Sequence, residues 1–196
     1  MYVAANMLFY YEEGNPAAVT SPDVFMVKGI PKHDRRIYKL WEERVAPCVT
    51  FEITSRSSRL EDLGTKRALY EILGVQEYYL FDRLGEYLSP PLQGFELAEG
   101  HYRPVRVSPD GTLYSQELGL ILRPEGNLLR LINPITGEPL PTLDEAVEQI
   151  QVMMERIQAE AQRAQAESQR AERAEAELAC LRAELERLRR QISEEK

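Results

Sequence analysis

The sequence predicts an α/β (α+β) domain, a mixed central sheet flanked by helices, followed by one long C-terminal helix. Three observations carry that prediction. Up to about residue 141 the chain is a series of short apolar runs punctuated by Gly and Pro, the pattern of strands, turns and short helices. Residues 49–54 alternate, with Val49, Phe51 and Ile53 on one side and Thr50, Glu52 and Thr54 on the other. Beyond Pro139-Leu140-Pro141 there is no Gly or Pro, and Ala, Glu, Gln, Arg and Leu dominate. The boundary therefore falls there, giving units 1–141 and 142–196.

Residues 1–11 and 24–28 read as the first strands, and 49–54 as the next. A helix is expected from Ser58, because Ser58-Arg59-Leu60-Glu61 fits a capping box. It should end near Leu73, where Gly74 can adopt the left-handed conformation. Residues 77–82, Glu-Tyr-Tyr-Leu-Phe-Asp, are aromatic-rich and apolar in the middle, a strong strand. Strand, helix and strand with short connections imply a right-handed crossover. Two hairpins follow, one turning at Glu99-Gly100 between 95–97 and 102–107, the other at Glu125-Gly126-Asn127 between 118–122 and 128–132, with a turn at Asp110-Gly111.

In the last unit Leu178, Leu181, Leu185, Leu188 and Ile192 recur at alternating spacings of three and four, the seam of a coiled coil. The register runs back through Ala174, Ala171, Ala164, Ile157, Met153, Ile150, Ala146 and Leu143, and meets Glu160 and Glu167 in the middle. A helix over 142–192 would be about 75 Å long, too long to bury its stripe on a small domain. Self-association through a partner helix is the expectation; the alternative is a single charged helix held by Glu–Arg pairs.

The bulk properties exclude some classes. No apolar run approaches the ~18 residues of a membrane span, and residues 1–11 lack a basic n-region, so a cytoplasmic location is expected. Cys48 and Cys180 lie far apart, and the histidines are His33 and His101, so neither a zinc site nor a disulfide framework is expected. Net charge is −8: 15 Lys+Arg against 19 Asp+Glu up to Pro141, then 9 against 13. An acidic chain is not pre-set for non-specific nucleic-acid binding.

Three residues are candidates for chemistry. Asp23 follows Ser21-Pro22 and opens an apolar strand, Glu52 lies on the polar side of the next, and Lys66 lies in the helix after it. Carboxylates on neighbouring strands can share one Mg²⁺, which takes oxygen ligands and keeps waters. A nearby ammonium can position or activate the attacking water and offset charge on a phosphate. Singly, each has a structural explanation: a turn or cap for Asp23, an exposed strand position for Glu52, a surface lysine for Lys66.

Four blocks extend the pattern: residues 20–27 around Ser21-Pro22-Asp23-Val24, 51–59 around Phe51-Glu52-Ile53, 62–70 around Thr65-Lys66-Arg67, and 74–82. In order and spacing, over about residues 3–131, they resemble the bacterial Uma-type family of restriction-endonuclease-like proteins in the PD-(D/E)XK superfamily. The resemblance implies a restriction-endonuclease-like fold and an Mg²⁺-dependent (Mn²⁺ as substitute) endonuclease acting on DNA, with Asp23 and Glu52 as metal ligands and Lys66 as the third catalytic residue. It departs from the superfamily in two ways. Thr54 stands where the superfamily lysine usually follows the second acidic residue, and Lys66 fits a lysine moved onto the helix. Relatives usually carry a further N-terminal segment, including a helix that packs on the sheet, so the chain reads as N-terminally short: either its start is misassigned or it is a truncated copy, and truncation would leave a sheet face exposed. The alternative function is then a non-catalytic, truncated interaction module that oligomerises through its coiled coil.

Secondary candidates are the basic residues Lys28, Lys32, Arg35, Arg36, Lys39 and Arg44, as phosphate contacts or a solvated loop and helix. Asp62 and Tyr70 stand one turn either side of Lys66 and can orient it. Gln76 could line the site, Glu77 and Asp82 read as structural, and Trp41 as core or rim.

Overall fold

The computed structural model describes the backbone of residues 1–194 and the side chains of residues 1–187. Residues 1–140 and 141–196 form two compact units. In chain order the first contains β1 (Tyr2–Ala5), β2 (Phe9–Tyr10), β3 (Val19–Thr20), β4 (Val24–Val27), β5 (Tyr38–Lys39), α1 (Leu40–Glu43), β6 (Val49–Ile53), α2 (Arg59–Glu61), a π-helical turn (Asp62–Lys66) and α3 (Arg67–Leu73). It continues with β7 (Glu77–Phe81), β8 (Leu92–Ala98), β9 (His101–Pro104), β10 (Leu113–Ser115), β11 (Leu120–Glu125) and β12 (Leu128–Ile132); the second unit is α4 (Leu143–Glu194).

The fold is a mixed α/β, nuclease-like arrangement around a six-stranded sheet, β1-β4-β6-β7-β8-β9. Every neighbouring pair is antiparallel except β6 and β7, which run parallel. That parallel pair is the one joined through α2, the π-turn and α3, as a strand–helix–strand crossover requires.

Strand pleating sorts the core. Phe25, Thr50, Tyr78 and Phe95 stand in register across β4, β6, β7 and β8, and so share one face. Tyr70 and Val75 pack there on Tyr78, Leu80 and Phe95, and the small sheet β3-β2-β5 adds Phe9 and Tyr38 against Phe25 and Val27. On the opposite face, Leu113 and Leu122 from the sheet β10-β11-β12 cover Val49, Phe51, Tyr79, Phe81 and Leu92. Over β6, β7 and β8 a three-stranded sheet covers one face and helix with small sheet the other, while Val3 on β1 is 53% exposed.

Several expectations change in detail. Residues 1–11 form two strands, because Asn6 takes φ 51° and donates to the Asp23 carbonyl, so the chain leaves the main sheet for the smaller one. The supposed polar side of β6 is buried, with Thr50 0%, Glu52 1% and Thr54 2% exposed, while Ile53 is 38% exposed. With Val49 and Phe51 buried as well, β6 is covered on both sides, and Ile53 at its end is its one exposed residue.

The capping box at Ser58 does not form. Ser58 has helical backbone angles and no capping bond, and its hydroxyl instead accepts the Ser55 N–H at 3.0 Å. A reciprocal pair of that kind does form at Thr142: its N–H donates to Glu145 at 2.8 Å, and its hydroxyl accepts the Glu145 N–H at 3.3 Å. Gly74 ends α3 at φ 79°, as expected.

Along α4, Ile150, Met153, Ile157, Leu178, Leu181 and Leu185 are all more than half exposed. The seam positions Leu188 and Ile192 lie outside the described side chains. Among the described residues no helix is long and apolar enough to cross a membrane.

Candidate active site

β4 and β6 pair with Val24 opposite Phe51, so one step further along Asp23 stands opposite Glu52. The Asp23 N–H points to Glu52 Oε2 at 3.4 Å, and Asp23 Oδ2 accepts the Ile53 N–H at 2.6 Å. The aspartate is thereby anchored through one oxygen to the neighbouring strand. Glu52 is enclosed from the helix side: Lys66 Nζ donates to its Oε2 at 2.9 Å and Tyr70 Oη to its Oε1 at 2.8 Å. Thr20 Oγ1 lies 3.4 Å from the Tyr70 hydroxyl, linking β3 to the cluster.

Lys66 bridges two carboxylates. Its ammonium is 3.3 Å from Asp62 Oδ1. Asp62 is 1% exposed, and neither of its oxygens has a hydrogen bond of good geometry, so this ion pair is its compensation. The π-turn produces the arrangement. Tyr78 Oη donates to the Asp62 carbonyl at 2.9 Å, an acceptor that a regular α-helix would give to the Lys66 N–H.

Electrostatics follow from burial. Desolvation pushes the Glu52 carboxyl up to about 7, against the lowering effects of Lys66 and Tyr70. For Lys66 desolvation works downward, but the bonds and charges of Glu52 and Asp62 outweigh it and hold the amine above its ordinary range. Lys66 is thus a fixed cation near neutral pH rather than a proton acceptor. Burial, then Glu52, raise the Tyr70 hydroxyl, which remains a donor.

The donor set suits a hard divalent cation. Asp23 and Glu52 offer carboxylate oxygens from adjacent strands, and the burial that raises Glu52 is what an added cation would offset. Among the described residues no group of three or more His, Cys, Asp or Glu is placed to hold a metal. Two protein carboxylates with waters and substrate oxygens are the expected complement for Mg²⁺.

The secondary candidates divide. Lys28 pairs with Glu117 at 2.7 Å, Arg35 with Glu43 at 2.6 Å and Lys39 with Glu42 at 2.7 Å, so half of the basic group is neutralised locally. Lys32, Arg36 and Arg44 are exposed. Gln76 is also exposed and donates to the Gly74 carbonyl, so it does not line the site.

Glu77 and Asp82 are structural. Glu77 accepts from the Ser115 hydroxyl and from the Gln116 and Glu117 N–H groups, tying β7 to the loop after β10. Asp82 accepts the N–H groups of Leu84, Gly85, Tyr87 and Leu88. Trp41 is half-buried, with Lys39 Nζ 6.0 Å from its ring centre. Sequence reasoning missed Thr20 and the π-turn; the signals available were Thr20 beside Pro22-Asp23 and Gly64 inside the helical run.

A search of curated proteins finds no match to the chain. The model of one protein family, Uma2, described as "Putative restriction endonuclease", matches residues 1–125. That span runs from β1 to the end of β11 and takes in Asp23, Glu52, Lys66 and the elements that hold them. The match covers well over half of the sequence, and the chain belongs to the Uma2 family.

Proposed function

We propose that the protein is a metal-dependent endonuclease that hydrolyses phosphodiester bonds in DNA, with Asp23, Glu52 and Lys66 as its catalytic residues. The observation that carries the reading is the meeting of Asp23 and Glu52 on paired strands with Lys66 Nζ 2.9 Å from Glu52 Oε2. Asp23 and Glu52 would hold Mg²⁺, with Mn²⁺ as a substitute. Bound there, the ion supplies a water of lowered pKa and neutralises charge on the phosphate.

The protein's own groups do the rest. Asp23 is anchored through Oδ2 to the Ile53 N–H, which would leave its other oxygen for the ion. Tyr70 fixes the Glu52 carboxylate through Oε1. Lys66, charged and already oriented by Glu52 and Asp62, would stabilise the negative charge that builds on the phosphate oxygens with little reorganisation. The 52-residue helix α4, with Leu178, Leu181 and Leu185 exposed at seam spacing, supports a homodimer that brings two sites to one duplex.

The test is cleavage of plasmid and single-stranded DNA by the full chain, with and without Mg²⁺ or Mn²⁺, beside Glu52→Gln. Metal-dependent cleavage that disappears in the variant supports the assignment. Folded protein that cuts nothing under any of these conditions would favour the non-catalytic interaction module instead.

A further inference from the structure

Past Glu52 the chain leaves β6 through Thr54, Ser55, Arg56 and Ser57. With Leu84 and Tyr87 these residues line a cleft of about 570 Å³. Three features of the cleft have no role in the cluster around Glu52.

The Thr54 side chain is 2% exposed and its hydroxyl has no hydrogen-bond partner. A buried, unmet hydroxyl is destabilising, and unlike those of Thr50 and Tyr79 this one belongs to a residue in the wall of the cleft. Arg56 is exposed and makes no ion pair among the described residues, whereas Lys28, Arg35 and Lys39 each rest on a carboxylate. The loop itself is braced. Ser55 Oγ lies 3.1 Å from both Ser57 Oγ and Ser58 Oγ, and the Ser55 N–H donates to Ser58 Oγ at 3.0 Å. Tyr87 and Leu84 on the far wall hang from Asp82 through their N–H groups. Among the described residues no carboxylate lines the cleft, although Glu86 bonds the Tyr87 hydroxyl next to it.

We propose that this cleft binds a non-scissile phosphate of the DNA strand, next to the phosphate attacked beside Asp23, Glu52 and Lys66. The inference rests on the nuclease reading and adds a substrate subsite to it. Hydroxyl donors with one unpaired guanidinium and no carboxylate suit a phosphodiester better than a base edge or a cation. Thr54 lies two residues beyond Glu52, about 6.7 Å along an extended chain, a distance comparable with one nucleotide step. Arg56 supplies the charge, and Thr54 and Ser57 supply hydrogen bonds.

The experiment measures binding of the full chain to a fluorescein-labelled DNA duplex by anisotropy, with Ca²⁺ in place of Mg²⁺, over a series of KCl concentrations. Arg56→Ala is expected to weaken binding about 5- to 10-fold and to lower the slope of log K against log[KCl] by about 0.9, one phosphate contact. Arg56→Lys keeps the slope. Thr54→Val weakens binding while raising Tm, because it removes the unmet hydroxyl at nearly constant shape. Arg103→Ala, on edge strand β9, removes the same charge and changes neither quantity.

Wild-type affinity and slope in Arg56→Ala overturn the subsite, and because that side chain is exposed the variant folds. So does Thr54→Val that lowers Tm and leaves binding untouched. If the wild type binds and cuts DNA while these variants match it, only the subsite fails. If the wild type binds no DNA at all, the nuclease reading fails and the subsite with it.

Discussion

Lys66 Nζ lies 2.9 Å from Glu52 Oε2, and both side chains are largely withdrawn from solvent, at 14% and 1% exposure. The same ammonium is the counter-charge of buried Asp62 at 3.3 Å. Removing it leaves two buried carboxylates without their shared counter-charge. Lys66→Met should therefore destabilise the domain by about 3–5 kcal/mol, the usual effect of stranding one side of a buried ion pair. It should also reduce any DNA cleavage by roughly a hundredfold or more, as loss of a fixed charge-stabilising group does. Lys66→Arg keeps the charge and should recover most of the stability. Urea unfolding of the three proteins checks this; a Lys66→Met domain as stable as wild type would show that the carboxylates find compensation elsewhere.

Asp82 sets the shape of the loop after β7. Burial alone would raise its carboxyl, but the N–H groups of Tyr87, Leu88, Leu84 and Gly85 outweigh it and hold the group below the ordinary carboxylate range. A carboxyl depressed on folding contributes stability that is present above its unfolded pKa, about 3.9, and lost as pH falls through the lower folded value. Asp82→Asn should thus cost about 2–3 kcal/mol at pH 7, where the charged acceptor is lost. The gap to wild type should narrow as pH falls below about 4. Thermal melts of both proteins from pH 7 down to pH 3 measure it. A gap that stays constant with pH would assign the effect to shape rather than charge.

What could be read in advance follows from where each feature's cause lies. The alternation of residues 49–54 marks a strand but does not single out Asp23, Glu52 and Lys66. Each alone reads as structural, and it is the resemblance of the four sequence blocks that picks out the trio, which the structure then brings together. The π-turn was not legible: the Tyr78 hydroxyl that bonds its Asp62 carbonyl comes from β7, beyond any local pattern of residues 62–66. Strands β3 and β5 are two residues long and carry no periodicity at all. The burial of Thr50, Glu52 and Thr54 depends on what packs over β6, which alternation within β6 does not encode. Thr54 was legible only as a departure from the expected lysine; its unmet hydroxyl emerges from packing.

Gly94 marks a close approach between the main sheet and the sheet over it. A Cβ built there would lie 2.7 Å and 2.9 Å from two carbons of the Tyr79 ring and 3.0 Å from Leu113 Cδ1. Tyr79 cannot give way easily, since it is fully buried and its ring stacks on Phe51 at 5.1 Å between centres. Gly94→Ala should cost about 1–3 kcal/mol through overpacking, although Gly→Ala normally favours the folded state by restricting the unfolded chain. Urea unfolding reads the sign directly, and a stabilised variant would mean that the two sheets can separate at small cost.

The remaining prediction concerns α4. Leu178, Leu181 and Leu185 are 54%, 54% and 52% exposed, at spacings of three and four. Burying a leucine contributes about 1.5–3 kcal/mol. With about half of each side chain left to bury, Leu181 and Leu185 from two helices contribute roughly 3–6 kcal/mol to a dimer, a large share of the ~8 kcal/mol of a micromolar association. Two changes should then suffice to abolish pairing. Sedimentation equilibrium at micromolar concentration should find a dimer for the wild-type chain and a monomer for Leu181→Glu combined with Leu185→Glu. Helicity by circular dichroism should fall with dissociation, because packing rather than propensity stabilises most helices. A monomeric wild type with full helicity would instead assign the stability of α4 to its Glu–Arg pairs, and each cut in DNA would then come from a single site acting alone.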